Sequence, residues 1–315
     1  MDMDESGLAA GGRDGSDAPA VAIAMPAPGN GRDWTLPDAA RWVHARSTDS
    51  RSSFFWAMRL LPKHRREAMF AVYAFCRTVD DVADGAGPAP DKMAALAAWR
   101  VEVGALFQGT PRHPVTVAVA PAVLVFGLRK EDFLAVIDGM EMDVAGRMVA
   151  PSLVELELYC ARAACAVGRL SAPIFGLHRD VGQALARSLG QALQLTNVLR
   201  DLVEDAAVGR LYLPREVLER HGIAARQPAA VLSHPALDRA CAEVSTMAEG
   251  HFSTARALLD SCPRGPARPA RAMCAVYGRL LARLKARGFA PELIGRPIRI
   301  GRGRKFLIAL GACLR

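Results

Sequence analysis

Aromatic side chains are scarce in this 315-residue chain, 6% of the total, and only four of them are tyrosines. Strands favour β-branched and aromatic residues, whereas Ala and Leu recur here almost everywhere, so an all-α fold is predicted. The seven cysteines, at 76, 160, 165, 241, 262, 274 and 313, are odd in number and form no Cys-x-x-Cys pair. That argues against a zinc ribbon or a complete disulfide framework and for a reducing compartment. The longest apolar run, Val115 to Leu128, is broken by Pro121 and falls short of the roughly 20 residues that span a bilayer. The first residues, Met-Asp-Met-Asp-Glu, are acidic where a secretory signal is basic, so a cytoplasmic protein is expected. Neither Gly-x-x-x-x-Gly-Lys-Ser/Thr nor Gly-x-Gly-x-x-Gly occurs, which removes the usual nucleotide sites. No Glu-x-x-His tetrapeptide occurs either, which removes a di-iron helix bundle.

What is present is a globular composition, 51% hydrophobic and 23% charged. Residues 1–33 are rich in Gly, Ala, Pro and Asp without periodicity and read as a disordered leader. That leader carries six acids and two bases, a net of −4, so the formal charge of +8 becomes +12 on the remainder. A basic body suits nucleic acid, an anionic membrane or a phosphorylated substrate, and composition does not choose among them. From Leu36 onward apolar residues recur at three- and four-residue spacing between Gly- and Pro-rich breaks. Helices are predicted over 37–46, 52–59, 63–84, 91–107, 114–126, 130–145, 152–176, 179–207, 214–220, 236–260 and 266–287. They make one domain, 34–295, followed by a basic-then-apolar segment, 296–315.

Two stretches carry chemistry. Asp80 and Asp84 lie four apart on one helix face, with Arg77 and Tyr73 one and two turns back. Like charges at that spacing repel, and acids at a helix C-terminus oppose its dipole; a cation removes both penalties. Alone, the pair would be read as a solvated acidic helix end, but the preceding turns are nearly all apolar. In the second stretch, Gln194, Asn197, Asp201 and Asp205 fall at steps of three and four, with Arg200 and Glu204 in the adjacent row. Two such faces, each with arginine beside it, suit Mg²⁺ held by hard oxygens and by substrate phosphates. Arg77, Arg200 and Arg210 could then grip a diphosphate by forked hydrogen bonds. The seven histidines lack metal-ligand spacing.

The runs Asp80-Asp-Val-Ala-Asp84 and Asn197-Val-Leu-Arg-Asp-Leu-Val-Glu-Asp205, with Ser52-Ser-Phe54 ahead and Gly209-Arg-Leu-Tyr-Leu-Pro214 behind, resemble the squalene/phytoene synthase family of head-to-head prenyltransferases. Leu158-Tyr-Cys160 and Ala166-Val-Gly168 extend the resemblance, which runs from about Arg51 to the final helices. Within the family, Leu60-Leu-Pro62, Glu67 to Arg77, Asp138-Gly-Met-Glu-Met-Asp143 and Gly209 to Glu216 look most like the bacterial members that make presqualene diphosphate in the hopanoid pathway.

The resemblance implies a single-domain isoprenoid-synthase helical fold with the two acidic motifs facing across a central cavity. It puts the metal positions on Asp80, Asp84, Asn197, Asp201 and Asp205, with Asp81 and Glu204 in support. Substrate contacts fall on Ser52, Ser53, Phe54, Tyr73, Arg77, Gln194, Arg200, Arg210 and Tyr212. Tyr159 joins Asp80, Asp84, Asp201 and Asp205 in the catalytic set. Phe54, Phe55, Tyr73, Tyr159 and Phe175 are candidates to face a carbocation. Farnesyl diphosphate is the implied substrate and Mg²⁺ the implied cofactor, with Mn²⁺ as a substitute. Where many squalene and phytoene synthases have Tyr three residues beyond Tyr159, this chain has Arg162, which points to a product left at presqualene diphosphate and no requirement for NADPH. The alternatives are squalene or phytoene/dehydrosqualene synthesis, and a non-catalytic assembly or membrane-associated factor, against which both intact acidic motifs speak. No nucleic acid is expected. The segment 296–315 is read as peripheral contact with the inner face of the cell membrane or as a packed last helix, and downstream squalene/hopanoid enzymes are candidate partners.

Overall fold

The computed structural model describes residues 34–48 and 61–298, together with Met58, Gly301, Ile308 and Gly311. Ser52, Ser53, Phe54 and Phe55, the leader and most of segment 296–315 lie outside the described residues. The helices are α1 (Leu36–Thr48), α2 (Lys63–Asp84), α3 (Ala89–Phe107), α4 (Pro114–Phe126), α5 (Lys130–Val144), α6 (Leu153–Cys160), α7 (Ala166–Phe175), α8 (Arg179–Arg200), α9 (Leu202–Ala207), α10 (Arg215–Arg220), α11 (Pro228–Leu232), α12 (Leu237–Asp260), α13 (Arg264–Arg287) and α14 (Pro291–Ile294). Among the described residues there is no strand, and the bridge of Val149 with Leu211 is the nearest approach to one.

The centre of the bundle is α8. Its buried Leu185, Leu189, Ala192, Leu195 and Leu199 recur at helical spacing, and it packs on α7, α12 and α13. The helix α2 lies against α1, α4, α5 and α7, burying Met69, Val72, Phe75 and Val79. The first acidic stretch ends α2, and the second starts on α8 and runs through Asp201 into α9, so the core that buries the apolar faces of α2 and α8 also fixes where those acids stand.

Two predicted helices are interrupted. The 152–176 helix contains a π turn at Ala161–Cys165, where Ala166 donates to the carbonyl of Ala161. This one-residue insertion lies against two neighbouring helices. A Cβ on Gly190 would come within 2.8 Å of the Cys165 Cα, and one on Gly139 within 3.1 Å of the Ala163 backbone. The 179–207 helix breaks at Asp201, whose φ of −102° and ψ of 17° leave helical geometry. Aspartate competes poorly for helix interiors, and the Arg200 side chain here bonds this carboxylate locally. The bonds Asp201 N–H to Asn197 O (2.9 Å) and Asp205 N–H to Asp201 O (2.8 Å) carry the stripe through the bend. The short helices α11 and α14 have no counterpart in the sequence prediction.

Two loops are zipped together beside the acidic motifs. Leu211 N–H bonds Met148 O, Ala150 N–H bonds Leu211 O, and Arg215 N–H bonds Pro151 O, at 2.8, 2.8 and 2.9 Å. Ala150 holds a φ of 50°, a strained value for a residue with a side chain. A capping box between Ser152 and Glu155 starts α6, and Glu216 accepts from Leu153 N–H. The outcome is a fixed position for Arg210 and Tyr212.

Candidate active site

Asp84, at the end of α2, and Asp205, on α9, line one cavity of about 630 Å³ together with Asp143, Glu204, Lys92 and Arg210. Arg210 Nη1 donates to Asp84 Oδ1 at 2.7 Å, and its Nη2 reaches Ala83 O at 3.4 Å. Lys92 Nζ donates to the same Ala83 carbonyl at 3.0 Å, so two cations meet the carboxyl end of α2, where the helix dipole favours them.

One turn back on α2, Asp80 and Asp81 receive the Arg77 guanidinium at 3.3 and 3.0 Å. Asp80 keeps 41% of its side-chain surface open. Burial of the carboxyl and then repulsion from Asp84 push it up to about 7, against the pull of Arg77. Asp205 is also pushed up to about 7, first by burial and then by Asp201, with Asp143 and Asp84 adding. Carboxylates on α2, α5 and α9 therefore feel one another, the condition a bound cation relieves.

Arg200 closes its fork on Asp201, through Nε to Oδ1 and Nη2 to Oδ2. Its other partner is Tyr277, whose phenol burial pushes up. Gln194, Asn197 and Tyr277 stand at the polar end of a second cavity of about 210 Å³, walled by Phe175, Leu185, Leu189 and Met273. The Asn197 Nδ2 group bonds Gln194 at 3.4 Å, while its Oδ1 is buried without a hydrogen-bond partner. Among the described residues no three His, Cys, Asp or Glu groups stand close enough to cage a metal by themselves.

The structure thus brings Asp84, Asp205, Glu204 and Arg210 to one cavity, and Gln194 and Asn197 to a second, smaller and more apolar one. Tyr73, partly buried in α2, lines neither, although it lies near enough to Tyr277 to act on that phenol. Tyr159 and Tyr212, placed by sequence among catalytic and substrate-binding groups, instead converge on Asp143. Tyr212 Oη donates to Asp143 Oδ1 at 2.7 Å and Tyr159 Oη to Oδ2 at 3.0 Å, with the two rings stacked at 5.1 Å. Three of the four tyrosines of an aromatic-poor chain, Tyr159, Tyr212 and Tyr277, therefore stand on or behind the walls of these cavities. Arg162 pairs with Asp138 at 3.7 Å, and Asp138 also receives Arg100.

Sequence reasoning passed over Asp143 and Lys92. Asp143 had a usable signal, an acid on the face of α5 that otherwise carries Phe133, Val136 and Met140. Lys92 had none, since a lysine in the first turn of a helix reads as surface.

A sequence model of the squalene/phytoene synthase family matches residues 47–304. The chain is similar to a presqualene diphosphate synthase of Sinorhizobium fredii, 47% identical over 253 residues, covering 80% of this chain and 90% of the relative. A phytoene synthase of Mycobacterium tuberculosis is 35% identical over 259 residues, covering 80% and 83%. Among solved structures, a dehydrosqualene synthase in complex with ligand superposes with a TM-score of 0.76 over 88% of this chain and 96% of that one, at 23% identity, a likeness of fold.

Proposed function

The chain belongs to the squalene/phytoene synthase family, and on that premise we propose that it joins two farnesyl diphosphates head to head, releasing one diphosphate and leaving presqualene diphosphate. The observation that carries the reading is the Arg210–Asp84 contact, which ties the second motif's loop to the first motif beside a cavity also lined by Asp205. The greater identity to a presqualene diphosphate synthase than to a phytoene synthase supports the choice of product.

The residues fit a divalent cation. Asp80 and Asp205 are raised first by burial and then by the neighbouring carboxylates of Asp84 and Asp201 respectively, and Asn197 Oδ1 is a buried acceptor with no donor. Asp80, Asp84, Asn197, Asp201 and Asp205, supported by Asp81 and Glu204, would hold Mg²⁺ or Mn²⁺, and substrate oxygens would complete the set. When bound, the cation withdraws charge from the departing diphosphate. Arg77, Arg200 and Arg210 hold that diphosphate. A phosphate presents the same paired oxygens as the carboxylates that occupy their forks in the free protein. The apolar chamber behind Gln194 and Asn197 takes an isoprenoid tail and keeps water from the allylic cation.

Among the described residues no helix is long and apolar enough to cross a membrane. The reading includes peripheral contact with an anionic membrane through segment 296–315, supported by its basic run and by the apolar C30 skeleton that the product carries beside its diphosphate.

Incubation with farnesyl diphosphate and Mg²⁺, with and without NADPH, tests the proposal when products are compared before and after phosphatase. A C30 diphosphate formed without NADPH is expected. A C30 hydrocarbon, made with NADPH or without it, or no turnover would each favour an alternative. Asp80→Ala and Asp201→Ala should lower turnover roughly a hundredfold or more, and near-normal activity in both would refute the metal assignment.

A further inference from the structure

Asp143 lies in neither acidic motif, yet it is the most deeply held acid of the larger cavity. It is 9% exposed, and each carboxylate oxygen accepts one phenol, from Tyr212 and from Tyr159. The phenols are themselves buried, at 5% and 4%, and only 3.4 Å apart. Of the three, Asp143 is the one that lines the cavity. The tyrosines therefore stand behind it and clamp it at the wall. Each phenol has a single proton, and both are spent on this carboxylate. With one donor on each oxygen, Asp143 is a poorer metal ligand than the acids around it, but each oxygen keeps a free lone pair and the residue lines the cavity.

We propose that Asp143 is the base that closes the cyclopropane ring, with Tyr159 and Tyr212 as positioning residues. This rests on the function proposed above. After the C1 carbon of the first farnesyl group bonds to C2 of the second, the positive charge lies on C3 of the second. The C1–H bond breaks, its electron pair forms the C1–C3 bond that closes the ring, and the proton passes to Asp143, which becomes a carboxylic acid. That carbon had carried the departing diphosphate, so its base must stand beside the diphosphate groups. Asp143 shares the cavity with Arg210, Asp84 and Asp205. Burial pushes its carboxyl up, which suits a proton acceptor, while Arg210 and the two phenols restrain it. The charged groups that act with it are Arg210, Asp84, Asp80 and Asp205.

The test uses the full chain with farnesyl diphosphate and with farnesyl diphosphate deuterated at C1. For Asp143→Asn, kcat should fall roughly a hundredfold or more, while affinity for a non-hydrolysable farnesyl thiodiphosphate changes less than about threefold. Deuteration should slow this variant at least about twofold and divert carbon to water-captured alcohols. Tyr159→Phe and Tyr212→Phe keep the carboxylate but remove a donor to its charged form, so the acid limb of the kcat profile should move to higher pH. That shift stands as the test if Asp143→Asn does not fold. Near-normal kcat without an isotope effect in Asp143→Asn would assign the proton to the released diphosphate and overturn the proposal. So would a parallel loss of analogue affinity, or an unmoved acid limb in both tyrosine variants. If the wild-type chain fails to release diphosphate from farnesyl diphosphate, the proposed function fails instead.

Discussion

Arg210 and Asp84 stand 126 positions apart in the chain, and the arginine donates to the aspartate at 2.7 Å. The arginine is 18% exposed and the aspartate 50%, so the guanidinium is anchored and the carboxylate is its open partner. The anchor is the loop pairing of Leu211 with Met148 and Ala150, which lets neither Arg210 nor Tyr212 drift. An arginine held this way can exchange a carboxylate for a phosphate without moving its backbone.

Arg210→Gln should therefore lower kcat/KM for farnesyl diphosphate roughly ten- to a hundredfold, the usual worth of a hydrogen bond to a charged group. Arg210→Lys should recover only part of it, because an ammonium lacks the fork. Steady-state kinetics with unchanged circular dichroism checks the outcome, and full activity in the lysine variant would remove the forked contact from the account.

The helix α2 was legible in the sequence to its last residue because Pro62 and Gly85 bracket it and its acids fall at helical steps. The stripe on α8 and α9 was legible for the same reason, but the bend at Asp201 was not, since hydrogen-bond register survives it. The π turn at Ala161–Cys165 leaves no compositional trace; it is set by the close approach of Gly190 and Gly139 from other helices. Asp143 was missed because its partners lie 16 and 69 positions away, beyond any local spacing rule.

The raised carboxyls give the metal-free protein an unusual pH dependence. Asp80 and Asp205 keep their protons up to about 7 when folded, against 3.8 for an ordinary aspartate. Between those values the folded state holds more protons than the unfolded one, so stability falls as pH rises through that window. In chelator, Tm should decline between about pH 4 and pH 7. Adding Mg²⁺ with inorganic diphosphate should raise Tm more at the higher pH, where fewer protons must be displaced. A Tm that climbs across the window in chelator would mean that these groups are already ionised.

Gly190 tests the packing of the π turn. An added methyl would meet backbone and sulfur of Cys165 within 2.9 Å, and backbone cannot rotate aside. Gly190→Ala should cost about 1–3 kcal/mol of stability, read from denaturant midpoints. Gly250, whose added Cβ meets nothing within 4 Å, provides the control, and its alanine variant should be at least as stable as the parent.

Asn197 separates binding from stability. Its Oδ1 is buried without a donor, so in the metal-free protein it is a cost that folding bears. Asn197→Ala removes that orphan together with one weak 3.4 Å bond to Gln194, and the metal-free variant should unfold within about 1 kcal/mol of the parent or at higher denaturant. If that oxygen is a metal ligand, the same variant should lose most of the stabilisation that Mg²⁺ and diphosphate confer, because a site with one ligand fewer binds the cation more weakly. Paired denaturant titrations with and without the cation make the comparison. A variant destabilised alone but stabilised normally by Mg²⁺ would make Asn197 a structural residue. Loss confined to the metal-loaded state places its oxygen on the cation.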